Sequence, residues 1–176
     1  MAPTEAELGE APRLFAYPYG EYDPSLAALI RDRGFVGFGQ ESGGVYSGSD
    51  RRLLPRFPMA EAFAGLDQFK TKVNTLAMPV TEVSPWDPVV PGMGRPALEL
   101  TVAPGDLRLA QLRCYASGQG QAPVTWLARD AGRFRVQAKQ PLSGRRARYN
   151  CTAPSATTGR FYWFSHLWID PQRPED

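Results

Sequence analysis

The chain has one histidine and two cysteines in 176 residues, and these shortages exclude more chemistry than any motif proves. A catalytic or structural zinc site ordinarily draws on several histidine and cysteine ligands. His166 alone cannot supply one, and Cys114 and Cys151 lie far from it in sequence with no histidine beside either. A strong charge of one sign is also missing: 20 basic and 18 acidic residues leave a net charge of +2. The basic residues are scattered apart from Arg145-Arg146-Ala147-Arg148, which reads as a solvated strand face, so nucleic acid is not an expected partner. No apolar run approaches the roughly 20 residues of a membrane span. The first ten residues are acidic and polar rather than an export signal. Either the protein is cytoplasmic or its true start lies upstream of Met1.

What is present is a packed-core composition, 43% hydrophobic, in a chain longer than the commonest single-domain length of roughly 100–150 residues. The pattern changes near residue 80. Before it, strand and helix signals alternate. Leu14-Phe15-Ala16 reads as a buried strand running into the aromatic turn Tyr17-Pro18-Tyr19-Gly20. Asp23 is a good N-cap, Pro24 suits the first helical position, and Leu26, Leu29, Ile30 and Arg33 follow at helical spacing until Gly34. Phe35-Val36-Gly37-Phe38 reads as a second buried strand, so residues 13–39 predict a β-α-β unit with a parallel pair. Leu53 to Pro58 predicts a further extended segment, followed by an amphipathic helix carrying Phe63, Leu66, Phe69 or Lys70, and Val73.

After residue 80 helix signals stop. Ser84-Pro85-Trp86-Asp87-Pro88 and Pro91-Gly92-Met93-Gly94 form a crossing, and strand patterns recur at 97–102, 107–116, 124–128, 134–138, 147–152 and 161–169. Their number and spacing predict an antiparallel β-sandwich. Cys114, then Trp126, then Tyr149 two residues before Cys151, resemble the immunoglobulin pattern of cysteine, core tryptophan and corner tyrosine. With those markers Cys114 and Cys151 are expected to be bonded, which implies an oxidising compartment, periplasmic or extracellular, and an export signal outside this chain. The alternative is a buried reduced pair in a cytoplasmic protein.

Alternation along residues 161–169 puts Phe161, Trp163, Ser165, Leu167 and Ile169 on one face and Tyr162, Phe164, His166 and Trp168 on the other. Two aromatic faces imply that this strand is covered on both sides, with His166 a satisfied interface residue. The other reading makes Tyr162, Phe164 and Trp168 a stacking platform for sugars.

The turn Phe15-Ala16-Tyr17-Pro18-Tyr19-Gly20, its helix and the strand Phe35-Val36-Gly37-Phe38-Gly39-Gln40 together resemble the third motif and following strand of the polysaccharide deacetylases. These are the deformed β/α-barrel enzymes of carbohydrate esterase family four. Leu54 to Met59 and Leu66 to Lys72 look like later parts of the same barrel, and the resemblance covers about the first 80 residues. It implies an enzyme that hydrolyses N- or O-acetyl groups on a carbohydrate polymer with zinc or another divalent metal. Carried over by position, the Tyr19 N–H is the oxyanion donor, Tyr17, Pro18 and Tyr19 shape the sugar-facing wall, and Arg56 supplies positive charge near the general base. The family's paired-aspartate, two-histidine and late leucine-x-histidine motifs have no counterpart here, and Ala16 stands where an arginine is common.

The expectation is therefore an α/β plus all-β chain: residues 1–80 the C-terminal part of a deacetylase barrel, and residues 81–176 an immunoglobulin-like sandwich. By itself it should bind no metal or other cofactor and be inactive. Its partner would be an N-acetylated polysaccharide, and the cut edge of an incomplete barrel offers self-association. A non-catalytic carbohydrate-binding or protein-interaction module is the alternative.

Overall fold

A computed structural model describes residue 7 and residues 9–175; the rest of the polar first ten residues lies outside the described residues. β1 (Leu14–Ala16), α1 (Pro24–Asp32) and β2 (Val36–Phe38) form the first unit. Asp23 caps α1 by accepting the Leu26 amide at 2.7 Å, and the helix stops before Gly34, whose φ of 71° suits a residue without Cβ. β1 and β2 pair in parallel, Leu14 opposite Val36 and Ala16 opposite Phe38. Leu54 extends the set, bridging Phe38 in parallel, with the Leu54 N–H donating to the Gly37 carbonyl and the Gly39 N–H to the Leu54 carbonyl. Gly37 is required there, because a Cβ on it would collide with the Arg52 carbonyl and the Tyr17 ring. The second helix, α2 (Leu66–Val73), is shorter than its apolar pattern predicts. A separate 3-10 turn at Glu61–Phe63 precedes it. Phe63, Leu66, Phe69 and Val73 are all exposed, so this stripe covers no core of the described residues.

The remainder is built of two sheets. One has five strands in the order β3 (Leu76–Ala77), β11 (Phe161–Ile169), β10 (Arg146–Pro154), β6 (Arg113–Ala116), β7 (Gly120–Ala122). The other has the order β4 (Val80–Ser84), β5 (Ala97–Val102), β9 (Arg133–Gln137), β8 (Val124–Ala128). Alternating inward residues such as Leu98, Leu100, Phe134, Val136, Cys151 and Trp168 fill the space between the sheets. The segment 107–116 is not one strand: Leu109–Gln111 makes a 3-10 turn and only Arg113–Ala116 enters the sheet. β3, β4 and β7 are short strands that the sequence pattern did not single out.

Cys114 and Cys151 are bonded, and the immunoglobulin resemblance needs a correction in how they are placed. They lie directly opposite each other on neighbouring strands of one sheet, with Cα atoms 4.1 Å apart. The bond therefore staples β6 to β10 rather than one sheet to the other. Trp126 is in the facing sheet, edge-on to Phe134 at 5.5 Å. Tyr149 makes the inter-sheet tie: its hydroxyl accepts the Ala138 amide at 2.9 Å and donates to the Pro96 carbonyl at 2.7 Å, at the two ends where β9 leaves and β5 begins. A Tyr149→Phe variant leaves a buried amide and carbonyl unpaired, and should lose about 1–3 kcal/mol in urea unfolding. An unchanged midpoint contradicts that role.

The five-stranded sheet is covered on both faces. Leu167 and Ile169 pack with Tyr17, Tyr22 and Ile30 of the α/β unit, while Tyr162, Phe164 and Trp168 face the sandwich core. Trp168 is fully buried, which overturns the sugar platform. Glu21 joins the layers as well, accepting from Arg145 at 2.7 Å and contacting Arg146 at 3.2 Å. The Arg145 hydrogen bonds hold the Glu21 carboxyl below its ordinary range. Among the described residues no barrel closes, and no helix is long and apolar enough to cross a membrane.

Candidate functional site

Three parallel chain segments end side by side: β1 into Tyr17, β2 into Gly39-Gln40-Glu41, and Leu54 into Pro55-Arg56. The Arg56 amide donates to the Glu41 carbonyl at 2.9 Å, continuing the ladder past the strands. In parallel α/β sheets the carboxyl ends of strands are where loops converge on ligands.

At the first of these ends the chain turns sharply. The Gly20 amide donates to the Tyr17 carbonyl and the Glu21 amide to the Pro18 carbonyl, at 2.9 and 3.0 Å. Closing so tight a turn drives Tyr19 to φ 54°, a left-handed conformation uncommon outside glycine. Gly20 has φ 75°, and a Cβ there would strike the Gln40 side chain. The Tyr19 N–H has no acceptor among the described residues. Its ring is 56% exposed and lies against the Arg146 guanidinium, 5.1 Å from ring centre to carbon.

The structure separates the sequence-predicted residues into two groups. Pro18 and Tyr19 are at the surface. Tyr17 is not a wall residue: it is buried, its ring packs between Phe15 and Tyr22, and its hydroxyl donates to the Arg52 carbonyl at 2.8 Å. It is a pillar under the turn. Arg56 is exposed, with its Nε donating to the Gly39 carbonyl at 2.9 Å. It lines a cavity of about 550 Å³ with Gln40, Phe57, Arg148, Asn150 and Trp163. Tyr19 does not line this cavity, but Gln40, on which its turn rests, does.

A second cavity, of about 350 Å³, was not anticipated from the residues. Glu41, Tyr46, Asp50, Arg52, Trp86 and His166 are among those lining it. Glu41 is 4% exposed, and neither carboxyl oxygen has a hydrogen-bond partner among the described residues. Burial lifts its pKa from 4.5 to about 7, against the pull of nearby amides, Arg148 and the Tyr22 hydroxyl. Arg148 comes within 4 Å of no carboxylate among the described residues, and its Nε is buried without a partner. Arg52 is occupied: it forks onto Asp50, Nε to Oδ1 at 2.9 Å and Nη2 to Oδ2 at 2.6 Å, and lies over the Trp86 ring at 4.6 Å.

His166 was expected to be a satisfied interface residue and is not. It lies on the sandwich side of β11, 4.5 Å from the Trp168 ring, with Nε2 buried and unpartnered. Burial drops its pKa from 6.5 to about 3, so it is a neutral imidazole. The sequence did carry a signal for Glu41, in the run Gly37-Phe38-Gly39-Gln40-Glu41-Ser42-Gly43-Gly44. A carboxylate among glycines immediately after a buried strand can sit against bare backbone, and Glu41 lies directly over Gly39.

No group of three or more His, Cys, Asp or Glu side chains among the described residues is placed to hold a metal ion. The zinc implied by the deacetylase resemblance does not fit the donors present among the described residues. No protein-family profile, curated protein or solved structure matches the chain.

Proposed function

We propose that this chain supplies one wall and an oxyanion donor to the groove of a metal-dependent polysaccharide deacetylase, whose metal ligands and general base lie outside the residues described. In this reading residues 1–80 are the last part of a deformed β/α barrel and residues 81–176 an immunoglobulin-like sandwich behind it. The observation that carries the reading is the Tyr19 amide, held in a left-handed turn at the carboxyl end of parallel strands, its N–H without an acceptor among the described residues. Hydrolysis of an acetamide places negative charge on the former carbonyl oxygen, and a donor already oriented towards that position stabilises it without reorganising. Pro18 and the Tyr19 ring form the exposed surface that meets the sugar. Arg56, two strand ends away beyond Gln40, adds positive charge at the same end of the strands.

The uncovered surface of the α/β unit supports the same reading. Among the described residues β1 is paired on one edge only, and Leu14, Leu29 and Phe35 are exposed. A piece of barrel lacking its neighbours leaves such an edge and such side chains open, and self-association through that edge would be seen by light scattering. The disulfide fits export to the periplasm or cell exterior.

The purified chain is expected to release no acetate from an N-acetylglucosamine oligomer, with or without added zinc or cobalt. Metal-dependent acetate release would overturn the division of the site. In a complete enzyme, Arg56→Gln should lower kcat/KM, and an unchanged value removes Arg56 from the site.

A further inference from the structure

The 350 Å³ cavity is distinct from the Tyr19 turn, and its chemistry is not explained by the deacetylase reading. We propose that it is a binding site for a small ligand bearing a protonated amine, held by the Glu41 carboxylate within the aromatic wall of Trp86, Tyr46 and Trp163.

Four observations lead there. The cavity volume lies within the range of roughly 300–1,000 Å³ typical of small-molecule sites. Glu41 is more than nine-tenths buried, lines the cavity, and has no partner for either oxygen among the described residues. Its polar neighbours in the chain, the Tyr22 hydroxyl and the Gln40 and Glu41 amides, do not close on the carboxyl oxygens in hydrogen-bond geometry, so the buried group is open to a further donor. Thirdly, the remaining charges cancel or are absent. Asp50 is neutralised by the forked Arg52, Arg52 is the one Lys or Arg lining the cavity, and His166 is uncharged. Arg148 acts on Glu41 but makes no ion pair with it among the described residues, so Glu41 is left without a close cation, which favours a cationic ligand over an anion. Fourthly, Tyr46 and Trp163 line the cavity alongside Trp86, whose ring already carries the Arg52 guanidinium, and an ammonium group gains about 0.5–2 kcal/mol over an aromatic face.

The floor adds polar contacts suited to a ligand with hydroxyls. On β11 the Trp163 carbonyl accepts from Met78 and the Ile169 amide donates to Pro88, both on the edge away from β10. Backbone alternation turns the Ser165 N–H and C=O to that same edge, between the two contacts, where no main-chain partner reaches them among the described residues. Ser165 and His166 both line the cavity. An amino sugar would use ammonium and hydroxyls together, whereas a simple alkylamine would use the carboxylate and rings alone.

The test is a chemical-shift titration of the full chain, following the Trp86 indole N–H and the Glu41 and Ser165 amide signals, which belong to this cavity and not to the larger one, with three probes: n-butylamine, glucosamine and N-acetylglucosamine. Both amines should shift these signals and the neutral N-acetylglucosamine should not. Glucosamine binding without butylamine binding supports the site and assigns it to amino sugars. Glu41→Gln, which keeps size and polarity, should weaken amine binding at least tenfold. The groups facing Glu41 are Tyr17, Tyr22, Asp50, Arg52, Arg148 and His166. Against the pull of burial, Asp50 is held below its ordinary range by its fork with Arg52, and the same fork raises Arg52. Burial lowers Arg148 from 12.5, and His166 is already neutral, so Glu41 is the group in this set whose titration falls between pH 6 and 8. Butylamine, protonated throughout this range, should therefore bind about tenfold more tightly at pH 8 than at pH 6, as Glu41 ionises near 7. Equal binding by Glu41→Gln, equal binding of N-acetylglucosamine, or no shift with any probe overturns the proposal; the last means that the cavity holds water only.

Discussion

Replacing both cysteines, as Cys114→Ala with Cys151→Ala, is expected to lower the unfolding free energy by roughly 3–4 kcal/mol in the chain-entropy description. The figure follows from a sequence separation of 37 residues between the bonded positions. The strands involved are already neighbours, with Asn150 opposite Tyr115 and Thr152 opposite Arg113 beside the bonded pair. Losing the bond therefore does not part the two sheets. The facing-sheet contacts of Tyr149, Leu98, Leu100 and Phe134 do not depend on it. The variant should keep its near-ultraviolet circular dichroism at low temperature, with faster amide exchange along β6 and β7, where β7 is an edge held by β6 alone. An inter-sheet bond would instead lose near-ultraviolet signal along with stability. Chemical unfolding with and without the two cysteines measures the effect, and a loss below about 1 kcal/mol contradicts it.

Glu41→Gln is expected to do the reverse and stabilise the protein, increasingly as pH rises. The folded pKa of about 7 is above the unfolded value of 4.5. The native state thus binds more protons than the unfolded state between those values, and stability contributed by Glu41 is lost as pH rises through this window. At 1.36 kcal/mol for each pKa unit, ionised Glu41 costs about 3 kcal/mol at pH 8 and under about 1 kcal/mol at pH 5. His166 runs in the opposite sense. Its folded pKa of about 3 is below 6.5, so the native state binds fewer protons and stability is lost as pH falls below 6.5. The two effects offset each other in the parent, whose own pH profile is correspondingly flat from 5 to 8. The difference between variant and parent removes His166, which both contain, and isolates Glu41. Urea unfolding of the pair at pH 5 and pH 8 should show the gap widening to about 3 kcal/mol. A destabilised variant at pH 8 would mean that Glu41 is held as a satisfied carboxylate.

Much of the local structure was readable from residues whose signals act over a few positions. Asp23-Pro24 and Gly34 bound α1 because caps and left-handed glycines work within one turn of backbone. The two aromatic faces of residues 161–169 correctly implied cover on both sides of β11. The placement of the disulfide was not readable, since the immunoglobulin spacing of Cys114, Trp126, Tyr149 and Cys151 is blind to which sheet each strand joins. Tyr17 misled for a related reason. Its neighbours Pro18 and Tyr19 are exposed, and only the Arg52 carbonyl, 35 positions away, draws the Tyr17 hydroxyl inward. α2 was overextended because an apolar stripe is the same in sequence whether or not anything covers it. The Glu41 cavity depends on three distant segments, around residues 41–53, 78–86 and 163–166, meeting in space.

The proposed groove wall can be tested at its own atoms. In an amide-resolved titration of the chain with an N-acetylglucosamine tetramer, the backbone signals of Tyr19 and Gly20 and those of neighbouring Gln40 and Arg56 should shift together, and Tyr19→Gly, which keeps the left-handed turn and the N–H but removes the ring, should weaken the response without abolishing it. Shifts confined to other surfaces, or none at these four residues, would contradict a carbohydrate groove built on this turn.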